Sequence, residues 1–436
     1  MKKLFGTDGI RGKALIYPLD KKTVYNLGRI VGRKLNKGKS FLIGIDTRES
    51  SPLLAGYLYS GLKKEGAESI YLGVISTPGL SWITKNLDEV EFSVMVSASH
   101  NPYEDNGLKF FSSWGTKLED KEEEEIEKLL ELEQEETLLE ELPTQREDIK
   151  NIYKRWLLSL FPKNYLKGLK IVVDTANGSL SGFAQEIFLS YGAEVISIGD
   201  FPDGKNINLK VGSLYPETSI SKLKENKYDL SICFDGDGDR VILTVYPDKI
   251  LDGDDILYIL ALDLKEKGIL RDGVVATSMS NLGFENALKE KGIKLYRTKV
   301  GDKFVFEELE RNNLILGGEQ SGHIILRHLS NTGDGLLVAL HILEILKRKD
   351  FNFELFKKYP QKIINCPVKK RIPLEEIPSY KIFLKEIEEI MESGRVVIRY
   401  SGTEPLIRVM LEAEKSEKIE EAEIKAKEFL EKVGII

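Results

Sequence analysis

The stretch LSICFDGDGDR, residues 230–240, sets an apolar run of strand length against a loop with Asp235, Asp237 and Asp239 at alternating positions. Gly236 and Gly238 separate the acids. A buried strand that ends in such a loop is the closing element of an α/β unit, because ligands of open sheets collect beyond the carboxyl ends of the strands. The residues before it supply the rest of that unit. KIVVDTANG (170–178) and EVISIG (194–199) read as strands, and amphipathic stretches from Phe183 and from Ser219 to Glu225 read as helices.

The same order occurs earlier. FLIGID (41–46), a helical pattern through Leu62, SIYLGV (69–74), a helix near Leu80 to Asn86, and FSVMVSASH (92–100) form a first unit. It occurs again later, in GVVATS (273–278), helices from Phe284 and Phe304, KLYRT (294–298) and LILGGEQSGH (314–323). Alternating strands and helices predict three similar α/β domains with mixed or parallel sheets, each with a polar loop after its third strand. The closing stretch differs: an extended IINCPVKK (363–370), an amphipathic helix from Leu374 to Met391, two strands in VVIRYSGTEPLIRVMLE (396–412) and a final helix. This predicts a C-terminal α+β domain, with domains at 1–150, 151–249, 250–364 and 365–436 around a central cleft.

Composition narrows the function classes. With 63 basic and 70 acidic residues and a net charge of -7, the 436-residue chain carries no overall basic footprint for nucleic acid or an anionic membrane. No apolar run reaches the ~18 residues of a membrane span, and MKKLFGTDGI has no apolar core of a secretion signal, so a cytoplasmic protein is expected. Cys233 and Cys366 stand alone, without a disulfide or zinc pattern. The acidic run 118–142 places Ile126, Leu129, Leu130 and Leu132 at helical spacing, which predicts a solvated helix stopped by Pro143.

Three carboxylates within five residues repel one another by roughly 1 to 3 kcal/mol per pair in a medium between protein surface and water. A hard divalent cation converts that repulsion into binding, and oxygen-only ligands with open positions suit Mg²⁺ in phosphate chemistry. A calcium loop is the rival, but Arg240 and Tyr246 stand where Gly and Glu are needed. The segment 96–111, VSASHNPYEDNGLKFF, offers Ser99 as a nucleophile, with His100, Asn101 and Lys109 near it. No G-x-S-x-G elbow surrounds Ser99, and neighbours on an extended chain point apart, which disfavours His100 as its base.

LGGEQSGH (316–323) gathers Glu319, Ser321 and His323 for sugar hydroxyls and proton exchange. RYSGTEPLIR (399–408) collects Arg399, Ser401, Gly402, Thr403 and Arg408, which suit a phosphate. FGTDGIRG (5–12) adds Thr7 and Arg11. GDFPDGKN (199–206) only begins like a nucleotide loop, since Asn206 replaces the required hydroxyl and Pro202 interrupts it.

Those five segments, in this order, resemble the α-D-phosphohexomutases over nearly the whole chain. NINLKVGSLYPE (206–217), SMSNLGF (278–284), RTKVGD (297–302) and GGEQSGHII (317–325) are similar to the phosphoglucosamine mutase branch. The resemblance implies interconversion of glucosamine 6-phosphate and glucosamine 1-phosphate, a step towards UDP-N-acetylglucosamine and cell-wall precursors. It implies a fourth domain of TATA-binding-protein type. It also implies phosphorylation of Ser99, with glucosamine 1,6-bisphosphate as intermediate. Ser99, through its phosphate, would hold one Mg²⁺ together with Asp235, Asp237 and Asp239. Catalytic roles would fall to Ser99, Lys109, His323 and Arg11. Glu319, Ser321, Arg240, His100 and Asn101 would bind the sugar, and Arg399, Ser401, Gly402, Thr403 and Arg408 the distal phosphate. Tyr400, Val211 and Tyr215 depart from the residues usual in that branch, which touches the choice of sugar and not the phosphate chemistry. A phosphomannomutase or phosphoglucomutase is the enzymatic alternative, and a non-catalytic phosphosugar-binding protein the other. A homodimer is allowed but not specified.

Overall fold

A computed structural model describes residues 4–133, 135, 137–400 and 406–436. Four sheets follow one another along the chain. In the second, Lys170–Asp174 pairs in parallel with Glu194–Ile198 and Leu230–Phe234, and Val241–Val245 then runs antiparallel beside the latter. The first sheet repeats this with Ser40–Ile45, Ser69–Val74, Val90–Val96 and antiparallel Asp105–Ser112. The third repeats it with Gly273–Thr277, Lys294–Thr298, Leu316–Gly318 and antiparallel Ile324–Leu326.

Each unit therefore has a fourth strand that folds back on the third, and the chemistry-bearing loops 97–104, 235–240 and 319–323 are the turns between them. The returning strands LKFF, VILTV and IIL are as apolar as the others, and periodicity alone does not give their direction. The fourth sheet is antiparallel, in the order Gln361–Pro367, Leu406–Glu412, Arg395–Tyr400, with helices Tyr380–Met391 and Ser416–Lys432.

Several expected boundaries shift for local reasons. Pro378 splits the stretch from Leu374 into a short turn of helix, Leu374–Glu376, and the helix Tyr380–Met391. The acidic helix spans Asp120–Leu132 and ends well before Pro143. Glu133 caps it in extended backbone, and its carboxylate accepts from Arg29 at 2.7 Å and Arg33 at 3.0 Å. The strands Lys249–Leu251 and Gln361–Pro367 run through the expected divisions at 249/250 and 364/365.

One apolar interior serves three units. It runs from Leu42 and Leu72 of the first through Ile171 and Ile232 of the second to Val274 of the third. At its centre lies the helix Gly335–Arg348, capped by Asp334, whose Oδ1 accepts from Leu337 N at 3.0 Å. LLVALHILEIL is apolar almost all round, as a helix buried on most sides must be. The fourth unit has its own core around Ile387, Leu411 and Leu430. It is anchored by polar contacts: Arg395 donates to Glu412 at 2.5 Å, to Ser278 O at 2.8 Å and to Ser280 O, while Glu412 accepts from Leu282 N at 2.8 Å. Among the described residues no helix is long and apolar enough to cross a membrane.

Candidate active site

Ser99 follows the strand Val90–Val96 in a left-handed conformation, φ 52°. For a residue with a Cβ this costs on the order of 1–3 kcal/mol and needs support. The support comes from three side chains. Ser97 Oγ accepts from Ser99 N at 3.0 Å, and Arg48 and Asn208 donate to Ser99 O at 3.0 and 2.9 Å. Arg48 is fixed in turn by Asp46 at 2.8 Å, which also holds Ser97. Asn208 belongs to the second unit, so this loop is clamped across a unit boundary.

The clamp aims Ser99 Oγ at Asp235 Oδ2, 2.6 Å away in the metal-type loop. Gly236 permits the approach, because a Cβ there would lie 2.6 Å from Ser99 O. Carboxylate oxygens of Asp235, Asp237 and Asp239 lie within 4.8 Å of one another, all buried. Burial and the two neighbouring acids push the Asp235 carboxyl well above the usual range. Asp237 Oδ1 and Asp239 Oδ1 are buried without a hydrogen-bond partner among the described residues. Orphaned carboxylate oxygens in a crowded anionic pocket are the donor set a hard cation needs. The residues fit Mg²⁺.

Cationic groups face these acids. Lys109, on the returning strand, reaches Asp237 at 2.7 Å, Asp8 at 3.0 Å and Asp239 at 3.2 Å. Burial works against its charge, yet the three acids hold its pKa well above normal. Arg11 donates to Asp8 and, at 3.3 Å, to Ala98 O. Thr77 Oγ1 donates to Asp237 at 2.5 Å. Arg240 N donates to Asp235 Oδ1 at 3.1 Å, and Arg240 forms a β-bridge with His323, which joins the metal-type loop to the sugar-type loop.

Some expectations change. His100 was expected to point away from Ser99, but the left-handed turn brings its Nδ1 to 3.2 Å from Ser99 Oγ. Burial, then Arg240 and Arg11, push its pKa down to about 3, so the ring is neutral and a poor base. Asn101 donates its side chain to Asp105 at 3.0 Å, within its own loop. Glu319 accepts from Gly301 N at 3.1 Å, and Ser321 is exposed.

Arg399 and Arg408 stand opposite each other across the strands of the fourth unit. They line a cavity of about 330 Å³ with Asn365 and Met279. Burial, then Arg408, lowers the Arg399 pKa, while the charge of Glu319 from the third unit acts in the other direction. Ser401, Gly402 and Thr403 lie outside the described residues.

Three charged residues were not singled out from the sequence. Asp8 sits among Arg11, Lys109 and Lys117, which hold its carboxyl well below normal although burial raises it. Lys117 bridges Asp8, at 2.5 Å, and Asp302. Asp8 had a signal, an acid between Thr7 and Arg11. Asp302 closes RTKVGD, a segment of the family resemblance, whereas Lys117 had no signal and is an ordinary surface-type charge until the first and third units meet.

The chain belongs to the phosphoglucomutase/phosphomannomutase family. Its alpha/beta/alpha domains I, II and III match residues 2–137, 149–247 and 252–362, and its C-terminal domain matches 363–429. Within the family, the chain is 41% identical over 454 residues to a phosphoglucosamine mutase of Bdellovibrio bacteriovorus, covering 99% of this chain and 98% of that protein. It is 44% identical over 441 residues to a phosphoglucosamine mutase of Staphylococcus aureus, covering 96% of each. Among solved structures, a phosphoglucomutase/phosphomannomutase family protein from Burkholderia thailandensis superposes with TM-score 0.82 at 22% identity, covering 100% of this chain and 99% of that one. Aspergillus fumigatus N-acetylphosphoglucosamine mutase, in complex with GlcNAc-6P and magnesium, does so with TM-score 0.68 at 17% identity, covering 99% and 96%. These two share the fold.

Proposed function

We propose that this protein is a phosphoglucosamine mutase, an isomerase that interconverts glucosamine 6-phosphate and glucosamine 1-phosphate. The observation that carries the chemistry is the 2.6 Å bond from Ser99 Oγ to Asp235 Oδ2, a hydroxyl set against a cluster of acids that fits Mg²⁺. The choice of sugar rests on the near full-length similarity to phosphoglucosamine mutases. Ser99 is the phosphate carrier, and the four units contribute in turn the carrier loop, the metal loop, the sugar loop and the distal-phosphate loop.

In the reaction, the bond between Ser99 Oγ and phosphorus breaks as a sugar oxygen bonds to that phosphorus. The sugar hydroxyl gives up its proton and Ser99 Oγ takes one. A bisphosphorylated sugar results; it turns end for end and returns its other phosphate to Ser99. Asp235, Asp237 and Asp239 would hold Mg²⁺ beside Ser99, and the cation would supply charge stabilisation for the transferring group. Lys109 and Arg11, each tied to Asp8, face the same phosphate as fixed cations. Glu319 and Ser321 read sugar hydroxyls, His323 handles a proton, and Arg399 and Arg408 hold the phosphate that is not reacting. Two free, buried thiols, Cys233 and Cys366, suit a cytoplasmic setting.

Mass spectrometry of the purified protein and of Ser99→Ala tests the reading. A phosphate adduct on the unmutated protein alone, with turnover of glucosamine 6-phosphate above glucose 6-phosphate and mannose 6-phosphate, is expected. Isomerisation that persists in Ser99→Ala would overturn the carrier role, and preference for another sugar would overturn the substrate.

A further inference from the structure

Behind the cleft, charges alternate in sign from the sugar loop to the metal loop. His323 Nε2 faces Asp302 Oδ2 at 3.7 Å, and that same oxygen accepts a hydrogen bond from Lys117. Lys117 Nζ also donates to Asp8 Oδ1 at 2.5 Å and to Thr7 O at 3.2 Å. Asp8 holds Arg11 and Lys109, and Lys109 reaches Asp237 and Asp239. Lys117 comes from the first unit, whereas Asp302 opens the helix Asp302–Arg311 of the third.

We infer that Lys117 is a positioning residue for phosphoryl transfer: by drawing Asp302 Oδ2 to itself it keeps that carboxylate from closing on His323 and leaves the imidazole unpaired for the reaction. The inference rests on the mutase reading above.

The geometry supports it at each contact. An N–H···O bond needs about 2.7–3.2 Å, so His323 and Asp302 face each other without bonding. Both His323 ring nitrogens are buried without a hydrogen-bond partner among the described residues. A buried imidazole beside a carboxylate gains a strong, charge-assisted bond if that carboxylate is available. Here other donors draw it away from the ring: Asp302 Oδ1 accepts from Lys303 N at 2.9 Å, and Oδ2 is pulled to Lys117. The ring also lies against bare backbone at Gly333, where a Cβ would come within 2.5 Å of Nε2. The described residues thus leave room for the ring but give it no hydrogen-bond partner.

The contact between the first and third units does not depend on Lys117 alone. Lys303 Nζ reaches Asp120 at 2.7 Å and Glu123 at 3.5 Å on the acidic helix. Asn331 donates to Trp114 O at 2.8 Å. Removal of the Lys117 ammonium should therefore leave the units docked and free Asp302 to turn towards His323.

The test compares the full-length, Mg²⁺-loaded, phosphorylated protein with Lys117→Met, Lys117→Arg and the double variant Lys117→Met/Asp302→Asn. Turnover of glucosamine 6-phosphate is measured, together with ¹⁵N spectra of the histidines, in which His323 is assigned by its loss in His323→Gln. Lys117→Met is expected to lose at least tenfold in kcat/KM, and Lys117→Arg to retain at least a third. The double variant should regain at least fivefold over Lys117→Met, because an amide attracts the imidazole far less than a carboxylate. The His323 Nε2 signal should show a carboxylate hydrogen bond in Lys117→Met only. Lys117→Gln carries the same comparison if Lys117→Met fails to fold. A double variant no more active than Lys117→Met, or an unaltered His323 signal in Lys117→Met, would overturn the inference. Absence of isomerisation by the unmutated protein would instead strike the mutase reading, and the ¹⁵N comparison would still decide the role of Lys117.

Discussion

Ser99 Oγ and Asp235 Oδ2 meet at 2.6 Å although they come from different units, which makes the proposed carrier hydroxyl and the metal-type loop a single device. Asp235→Asn keeps the size of the side chain and removes one anionic ligand. Mg²⁺ affinity, measured by isothermal titration, should fall by at least 10- to 100-fold, the loss typical of weaker perturbations at metal sites. Unchanged affinity would mean that the cation does not bind at Asp235.

Gly236 lies where the two loops touch. A methyl group in Gly236→Ala would meet Ser99 O at 2.6 Å and Ile207 and Asn208 at 2.8 Å. Overpacking of this kind costs about 1–3 kcal/mol. Because it displaces Ser99 from Asp235, turnover should fall by on the order of 100-fold while the thermal midpoint moves only a few degrees. Full activity in this variant would show that the loop spacing is not critical.

Arg395 pairs with the fully buried Glu412 at the joint between the third and fourth units. Arg395→Ala leaves that carboxylate without its guanidinium, which for buried pairs costs roughly 3–5 kcal/mol. Limited proteolysis should then attack the fourth unit first, while the first three stay protected. Uniform resistance would place the strength of the joint elsewhere.

His341 lies on the central helix with its ring edge-on to Phe161, at 5.0 Å between centroids. Its Nε2 is sealed from solvent, and burial, then His328 and Lys267, push its pKa down to about 4. The folded state thus favours the neutral ring. The stability this gives is present above the unfolded pKa near 6.5 and is lost as pH falls from there towards 4, by on the order of 2–3 kcal/mol. His341→Leu should flatten that acid limb in urea unfolding between pH 7 and 4. A limb of unchanged depth would assign the acid sensitivity to other groups.

The parts of the fold that were legible in the sequence were those with local signals. The repeated strand, helix and polar loop are visible because apolar runs of strand length stop at Asp, Gly or Ser clusters, and the aspartate trio is visible because like charges at alternating positions demand a reason. The return of each fourth strand was not, since Val241–Val245 is equally apolar whether it runs with or against its neighbour. Pro378 was a readable break in the C-terminal helix that amphipathic spacing outweighed. His100 was misjudged because adjacent residues were treated as extended, whereas Ser99 has positive φ. Asp302 and Asn208 lie in segments that carry the family resemblance, RTKVGD and NINLKVGSLYPE, but their roles, like that of Lys117, arise only through contacts between units.

The apolar interior common to the first three units also bears on how the chain is made. Leu42 and Leu72 lie in one cluster with Leu336, Leu346 and Phe356, so their burial waits until most of the polypeptide has left the ribosome. During synthesis the faces of the early sheets that belong to this cluster stay partly uncovered, which exposes them to association before the chain is finished. The C-terminal unit closes its separate core last, whereas the first unit also owns a cluster around Phe41, Leu54 and Phe92 that needs no later segment.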